Sequence, residues 1–264
     1  MQLLGYFASA LIGISLGLVG GGGSILTVPV MVYIFGVHPL LATSYSLFIV
    51  GFTSLVGSVN NFSKGLISLK AALFFGAASV ITVFGTRKFL VPVIPKKITS
   101  ISGFTVTESF LTMILFAILM LVASISMIRE ARDKEPDEEF SGRFKSLKLL
   151  GYGVGVGLVT GLLGAGGGFL LIPALVFLIK LPMKKAVGTS LAIIALNSLF
   201  GFAGDLGHFT INWTFLLSIT IIAVAGIFIG SFLSKKIQGE KLKKGFGWFV
   251  LTMGFYILFK ELSS

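Results

Sequence analysis

The stretch that decides the fold is Gly17-Leu-Val-Gly-Gly-Gly-Gly-Ser-Ile-Leu-Thr-Val-Pro29, and a second stretch repeats its pattern: Gly161-Leu-Leu-Gly-Ala-Gly-Gly-Gly-Phe-Leu-Leu-Ile-Pro173. Both lie between long apolar segments. Glycine in a helix interior costs about 1 kcal/mol relative to alanine, so each glycine cluster predicts an unwound break in a helix. If lipid surrounds that helix, the freed backbone N–H and C=O groups need partners from protein, water or a ligand.

The composition indicates that lipid does surround it. Of the 264 residues, 55% are hydrophobic and only 12% are charged, against about 25% charged residues in a soluble domain. No charged residue precedes Lys64, and apolar runs recur to the last residues, which excludes a single signal peptide as the explanation. A pass needs about 20 helical residues, which leaves room for roughly eight passes. The runs lack the apolar/polar alternation of barrel strands, so we predict an all-α membrane protein.

The charged residues and the absence of cysteine exclude several classes of function. The net charge is +11, but the basic residues form short clusters between apolar runs, as topology signals do, and we expect no nucleic-acid partner. Zero Cys excludes disulfides and thiol chemistry.

An internal repeat becomes visible when the sequence is shifted against itself by about 144 positions. Gly13, Gly17, Gly20, Gly22, Gly23 and Pro29 then fall on Gly157, Gly161, Gly164, Gly166, Gly167 and Pro173. The chain is therefore interpreted as two tandem transmembrane repeats, 1–128 and 147–264, joined by a charged, solvated linker at 129–146. Four helices are predicted in each repeat, with the first broken at its glycines: 3–20 with 24–35, 40–60, 66–90 and 106–128, then 149–164 with 168–179, 184–203, 211–233 and 244–261.

The basic loops give a first topology. The loops after the third helix of each repeat are the most basic short loops, and the positive-inside rule then places both in the cytoplasm. They carry Arg87, Lys88, Lys96 and Lys97, and Lys235, Lys236, Lys241, Lys243 and Lys244. This predicts parallel repeats, eight passes and both termini outside. Lys64, Lys70 and the linker's bases would then also lie outside, so inverted repeats and a re-entrant segment after each break remain open alternatives.

The breaks and the starts of the second helices supply the candidate site. The helix that follows each break directs N–H groups and a positive dipole into it, which suits an anion. Hydroxyl and amide groups of the second helices can donate to the same anion, with helix capping as the alternative for the hydroxyls. Isolated glycine pairs such as Gly13 and Gly17 are interpreted as packing positions. The predicted substrate-binding residues are Gly22, Gly23, Ser24, Ser44, Ser46, Gly166, Gly167, Gly168, Thr189, Ser190 and Asn197.

Ionisable residues give no further candidate. Glu108, Asp205 and His208 fall near predicted helix ends and are interpreted as solvated or interfacial, and His38 as structural in a turn. A proton relay therefore lacks an obvious carrier. The sequence contains no nucleophile–base pair, paired carboxylates or metal-ligand cluster, so we expect no catalytic residues, no metal, no cofactor and no enzymatic activity.

The doubled glycine motif, together with Ala186-Val-Gly-Thr-Ser-Leu191, resembles the sulfite exporter TauE/SafE family over nearly the whole chain. The first repeat departs from the pattern with Thr43-Ser-Tyr-Ser46, and Ser24 replaces the last glycine. The resemblance implies a permease in the cytoplasmic (inner) membrane that moves small anions such as sulfite or organosulfonates. The expected function is a secondary transporter working by alternating access. The alternatives are an anion channel or a membrane scaffold without transport, and the coupling ion, the direction of transport and a homo-oligomer are left open.

Overall fold

The computed structural model describes residues 2–95, 97–101, 104–128, 143–178, 180–234 and 239–263. Helices dominate this part of the chain, and they begin and end within a few residues of the predicted positions. They are α1 Gln2–Val19, α2 Gly23–Ile34, α3 Pro39–Ser63, α4 Leu69–Val93, α5 Glu108–Ile128, α6 Arg143–Leu163, α7 Gly168–Leu178, α8 Met183–Asp205, α9 Trp213–Leu233 and α10 Gly239–Leu262. Most of the predicted linker, 129–146, lies outside the described residues.

Six helices are long and apolar enough to cross a membrane: α3, α4, α5, α8, α9 and the part of α10 from Lys244. The described apolar parts of α1, α2 and α6 are shorter. The protein is thus a helical, multi-pass membrane protein, whereas the count of eight passes stays a prediction. α3 and α8 are the most buried of the six. The outer helices expose large apolar side chains such as Ile81, Phe228 and Phe259, as expected of a surface that faces lipid.

The first helix breaks where the glycines predict it, and the chain turns back there. A 3-10 helix over Gly20–Leu26 follows α1 and includes the first turn of α2. A Cβ built on Gly23 would touch the backbone of Ser15 and Leu16, and one built on Gly5 would touch the ring of Phe35. The far end of α2 therefore lies beside the start of α1, and the two form an antiparallel helical hairpin.

The second glycine cluster is the turn of a matching hairpin. α6 ends at Leu163 and α7 begins at Gly168, and a Cβ on Gly167 would meet the side chain of Thr160. Leu149 and Leu175, far from the turn, share one apolar cluster. We call Gly20–Ser24 tip 1 and Gly164–Gly168 tip 2.

Each hairpin packs along a helix of the other half. Gly13 meets Ala223 and Gly17 meets Gly230, so α1 runs parallel to α9. α6 runs parallel to α4 in the same way. In this pair Gly157 meets Ser79 and Gly161 meets Thr86. These contacts match those of α1 with α9, because each residue lies 144 positions from its counterpart in the other pair: Gly157 from Gly13, Gly161 from Gly17, Ser79 from Ala223 and Thr86 from Gly230.

The two halves run in opposite directions. α3 is antiparallel to α8, because Gly57 meets Leu191 near one end and Gly201 meets Leu47 near the other. α3 is parallel to α9, as the contact of Gly57 with Ile227 shows together with the hydrogen bond from Asn212 N to the Tyr45 hydroxyl. α8 is parallel to α4, through the contacts of Asn197 with Ser79 and of Gly204 with Arg87. It follows that α1 is antiparallel to α6. The expectation of parallel repeats is wrong, because loop charge alone does not carry helix direction.

A short β-hairpin, absent from the sequence prediction, connects α4 to α5. Strand β1, Lys97–Ile101, pairs antiparallel with strand β2, Phe104–Thr107, with Ile101 opposite Phe104 and Lys97 opposite Thr107. The pairing is irregular between Lys97 and Thr99. The hairpin leads directly into the first turn of α5.

Candidate functional site

The two glycine tips meet between α3 and α8. The backbone of Gly21 in tip 1 contacts the backbone of Gly168, where α7 begins, and a Cβ on Gly168 would lie on the Gly21 carbonyl group. Gly166 faces Val50 at the middle of α3 and Ser198 in α8. Both breaks therefore lie in the protein interior, as a paired site requires.

Each tip also reaches past the middle of the molecule. Gly20 lies against Val187 in the second turn of α8, and Gly164 lies against Thr43 in the second turn of α3. The two contacts are equivalent, because Gly164 lies 144 positions after Gly20 and Val187 lies 144 positions after Thr43.

Tip 2 has a backbone that requires glycine. Gly166 and Gly167 have φ values of +66° and +70°, in the left-handed region that other residues rarely occupy. Gly168 has no such constraint and is required for close approach to Gly21. The predicted cradle in the second half is thus built of glycines for two separate reasons.

Several buried polar atoms have no partner, and two of them, the hydroxyls of Thr160 and Ser198, lie beside Gly167 and Gly166 of tip 2. Leaving such an atom unpaired costs about 1–3 kcal/mol, so a group of them marks a place for water or a ligand. Five are hydroxyls of α3, α6 and α8: those of Ser44, Ser46, Ser54, Thr160 and Ser198. The hydroxyl of Thr27 and Oδ1 of Asn197 complete the uncharged set.

In the first half, the predicted site residues divide into paired and unpaired groups. Ser24 is fully buried and donates to the Gly21 carbonyl oxygen at 2.9 Å, which braces tip 1. Gly22 and Gly23 lie in the 3-10 turn of that tip. Ser44 and Ser46 are fully buried on α3; the Ser44 hydroxyl faces the carboxylate of Asp205, and the Ser46 hydroxyl has no partner.

In the second half, two of the predicted side chains have structural partners. The Thr189 hydroxyl accepts a hydrogen bond from N of Ser68, the residue before α4, at 2.9 Å, and the Ser190 hydroxyl donates to Val187 O at 2.9 Å. Asn197 donates to the Ser79 hydroxyl at 2.7 Å and keeps its carbonyl oxygen free. Thr189 and Ser190 thus have structural hydrogen bonds, and their role as substrate donors stays a prediction.

A buried ion pair, Arg87 with Asp205, lies beside tip 2. Arg87 belongs to the π-helical turn Thr86–Leu90 within α4, and Asp205 ends α8. Nη1 of Arg87 donates to Oδ2 of Asp205 at 3.2 Å and to the Thr43 hydroxyl at 3.0 Å. Both charged residues are fully buried. A buried pair of this kind inside a membrane helix bundle is a strong functional candidate.

Sequence reasoning missed this pair. Asp205 was expected to be solvated or interfacial and is fully buried, and Arg87 was assigned to a cytoplasmic loop although it is fully buried within a helix. Glu108 is also buried, in the first turn of α5, whereas His208 is exposed as expected. One sequence signal was available, since Asp205 is the only charged residue between 186 and 234.

Comparisons with known proteins indicate a membrane transporter. A family model described as "Sulfite exporter TauE/SafE" matches residues 6–257. A "Probable membrane transporter protein" of Xylella fastidiosa (strain Temecula1) is 26% identical over 97% of this chain and 95% of its own length. "Probable membrane transporter protein YunE" of Bacillus subtilis is 24% identical over 94% of this chain and 93% of its own. A probable membrane transporter protein of Methanocaldococcus jannaschii is 26% identical over 94% and 92%. No solved structure gives a significant match.

Proposed function

Since the chain belongs to the sulfite exporter TauE/SafE family of membrane transporters, we propose that it is a secondary transporter that carries a small anion, such as an organosulfonate or sulfite, by alternating access. The site is the region around tips 1 and 2. The observation that carries the proposal is the meeting of two broken helices inside the protein, with the buried, unpartnered hydroxyls of Thr160 and Ser198 beside tip 2.

The chemistry of this site favours an anion. α7 begins at Gly168, so its first N–H groups and its positive dipole end lie at the tips. Ser44, Ser46, Thr160 and Ser198 add hydroxyl donors. Sulfonate and sulfite present several acceptor oxygens on one small head, which such donors can bind from more than one side.

We further propose that the halves are inverted repeats, each built of one hairpin and three spanning helices. The equivalent contacts at a shift of 144 positions, and the opposite directions of α1 and α6, support this arrangement. In this arrangement six helices span the membrane and the two hairpins enter it from opposite sides, in place of the eight simple passes expected from the sequence. Inverted repeats whose broken helices meet near the centre are a recurrent plan of secondary transporters.

The Lys and Arg distribution orients this arrangement in the cytoplasmic membrane. The end of the molecule where α3, α5, α7 and α9 finish joins segments that carry 16 of the 21 Lys and Arg residues, including Lys64, Lys70 and the linker's bases. The positive-inside rule makes this end cytoplasmic. Both chain ends then lie outside. Lys64, Lys70 and the linker's bases, which the parallel topology placed outside against the positive-inside rule, now lie on the cytoplasmic side.

The same geometry supports alternating access as the mechanism. Gly21 and Gly168 are in direct contact, so the two tips are closed against each other. Movement of one hairpin relative to α3 and α8 opens one end while the other stays sealed, and the inverted relation of the hairpins supplies the equivalent movement for the other end.

Counterflow into liposomes tests this function. Purified protein should take up labelled sulfite or sulfoacetate with saturation, and unlabelled anion inside the vesicles should accelerate uptake. An anion channel would conduct without saturation at low concentration or acceleration by trapped anion, and a scaffold would show no flux. Gly167→Val should lose uptake yet insert normally, because Gly167 has a left-handed φ and faces Thr160. Gly155→Ala, on the exposed face of α6 with no atom within 4 Å of the added methyl, serves as the control.

A further inference from the structure

The pair of Arg87 and Asp205 uses only part of its hydrogen-bonding capacity. Nη1 of Arg87 makes both observed contacts, while Nε and Nη2 have no partner among the described residues. Oδ1 of Asp205 has no hydrogen-bond partner of good geometry, although the Ser44 hydroxyl faces the same carboxylate. Nε and Nη2 are neighbouring donors on one edge of the guanidinium plane, the geometry that binds a carboxylate, sulfonate or phosphate through two oxygens.

Nη2, one of the two unused donors, faces tip 2. A Cβ built on Gly164 would lie 2.5 Å from Nη2, so only a glycine leaves room for the guanidinium at this point. Gly164 opens the break that ends at Gly168, where the two tips meet. A ligand held by the tip 2 backbone is thereby within reach of the only fully buried positive charge among the described residues.

The charge of the site constrains how an anion can bind there. Empty, the site holds one guanidinium and one carboxylate, with a net charge of zero. An added monoanion would leave one negative charge uncompensated in the membrane interior, which is strongly unfavourable. Protonation of Asp205 removes that charge and releases Nη1.

We propose that Arg87 binds the oxyanion head of the substrate through Nε and Nη2, and that Asp205 takes up one proton in the same step, so that anion and proton cross together. This inference rests on the proposed function. On binding, a proton from water forms an O–H bond on Asp205 and the ion pair with Arg87 is replaced by the pair of Arg87 with the anion. On release the proton returns to water and the original pair forms again. The net charge is zero throughout for a monoanion, so transport is an electroneutral symport.

Few other groups can take part in this exchange. His208 is the other titratable group that faces Asp205, from the turn after α8, and it is exposed. α3 contributes Thr43 and Ser44, which do not titrate near neutral pH. Lys88 follows Arg87 in the chain and is exposed.

Calorimetry on purified protein, repeated in buffers of different ionisation enthalpy, counts the protons taken up when methanesulfonate or sulfoacetate binds. Both probes keep an ionised sulfonate across the pH range of the assay. For methanesulfonate, the monoanion, we expect about one proton per anion for the wild type and for His208→Gln. Asp205→Asn should bind with no proton uptake and lose the dependence of affinity on pH. Arg87→Gln combined with Asp205→Asn removes both charges, which keeps the fold free of an unpaired buried ion, and should weaken binding about 10- to 100-fold.

The possible outcomes distinguish failure of this inference from failure of the proposed transport function. If the wild type binds and transports a sulfonate without taking up a proton, or if the double variant binds as tightly as the wild type, the coupling role is wrong and the transporter stands. If proton uptake persists in Asp205→Asn and disappears in His208→Gln, the carrier of the proton is His208 and the assignment is overturned. If the wild type neither binds nor transports any of the anions, the proposed function fails and this inference fails with it.

Discussion

Replacing Gly168 by alanine tests the contact between the tips with a single methyl group. That methyl would overlap the carbonyl group of Gly21, and the neighbouring atoms are backbone, so no flexible side chain can move aside. An ordinary contact between such atoms is about 3.5 Å, which requires the tips to separate by roughly 1.5 Å. Overpacking of this kind costs about 1–3 kcal/mol, and each kcal/mol corresponds to about 2–4 °C in melting temperature.

The assay measures melting temperature in detergent and counterflow in liposomes for the same preparation. We expect Gly168→Ala to melt lower and to transport poorly, because separated tips can no longer seal the site. Gly155→Ala adds the same methyl to a glycine with no atom within 4 Å and should be neutral or slightly stabilising, by up to about 1 kcal/mol. If the two variants melt and transport alike, the tips are not in functional contact and the site is misplaced.

Three further expectations follow from the packing and the topology. Gly230→Ala should destabilise the protein by about 1–3 kcal/mol in thermal unfolding, because its methyl would overlap the backbone of α1; a neutral effect would contradict the close α1–α9 contact. Asn197→Leu should cost about 1 kcal/mol or more through the lost bond to Ser79, and transport should fall with it, whereas stability equal to the wild type would mean the bond does not form. In this cysteine-free chain, cysteines placed at the equivalent positions Ser63, which ends α3, and Leu206, which follows α8, should label from opposite sides of the membrane, with Ser63 on the cytoplasmic side; labelling of both from the same side would contradict the inverted repeats.

The breaks and helix boundaries were predictable because their causes are local. Four glycines in five positions destabilise any helix, whatever surrounds it. The recurrence of that pattern after 144 positions marked both breaks as one kind of feature, and the structure brings the two together.

Helix direction and the buried pair could not be predicted in the same way. The hydropathy of a helix does not show in which direction the helix crosses the membrane. The choice between parallel and inverted repeats therefore depended on loop charge. Arg87 contributed to the wrong choice, because it was counted as a basic loop residue although it lies inside the protein. Its partner Asp205 is 118 positions away on another helix, and each charge seen alone resembles the end of a helix.

The most direct test of an anion site at the tips is protection of a cysteine placed at Ser198. Ser198 is fully buried, and its hydroxyl has no partner beside Gly166. In liposomes the Ser198→Cys variant should react slowly with a small charged thiol reagent as the site opens, and saturating sulfoacetate should slow the reaction at least several-fold while a cysteine at Ser63 is unaffected. A rate at Ser198 that does not change under saturating sulfoacetate, in protein that still transports it, would place the anion elsewhere and contradict the site.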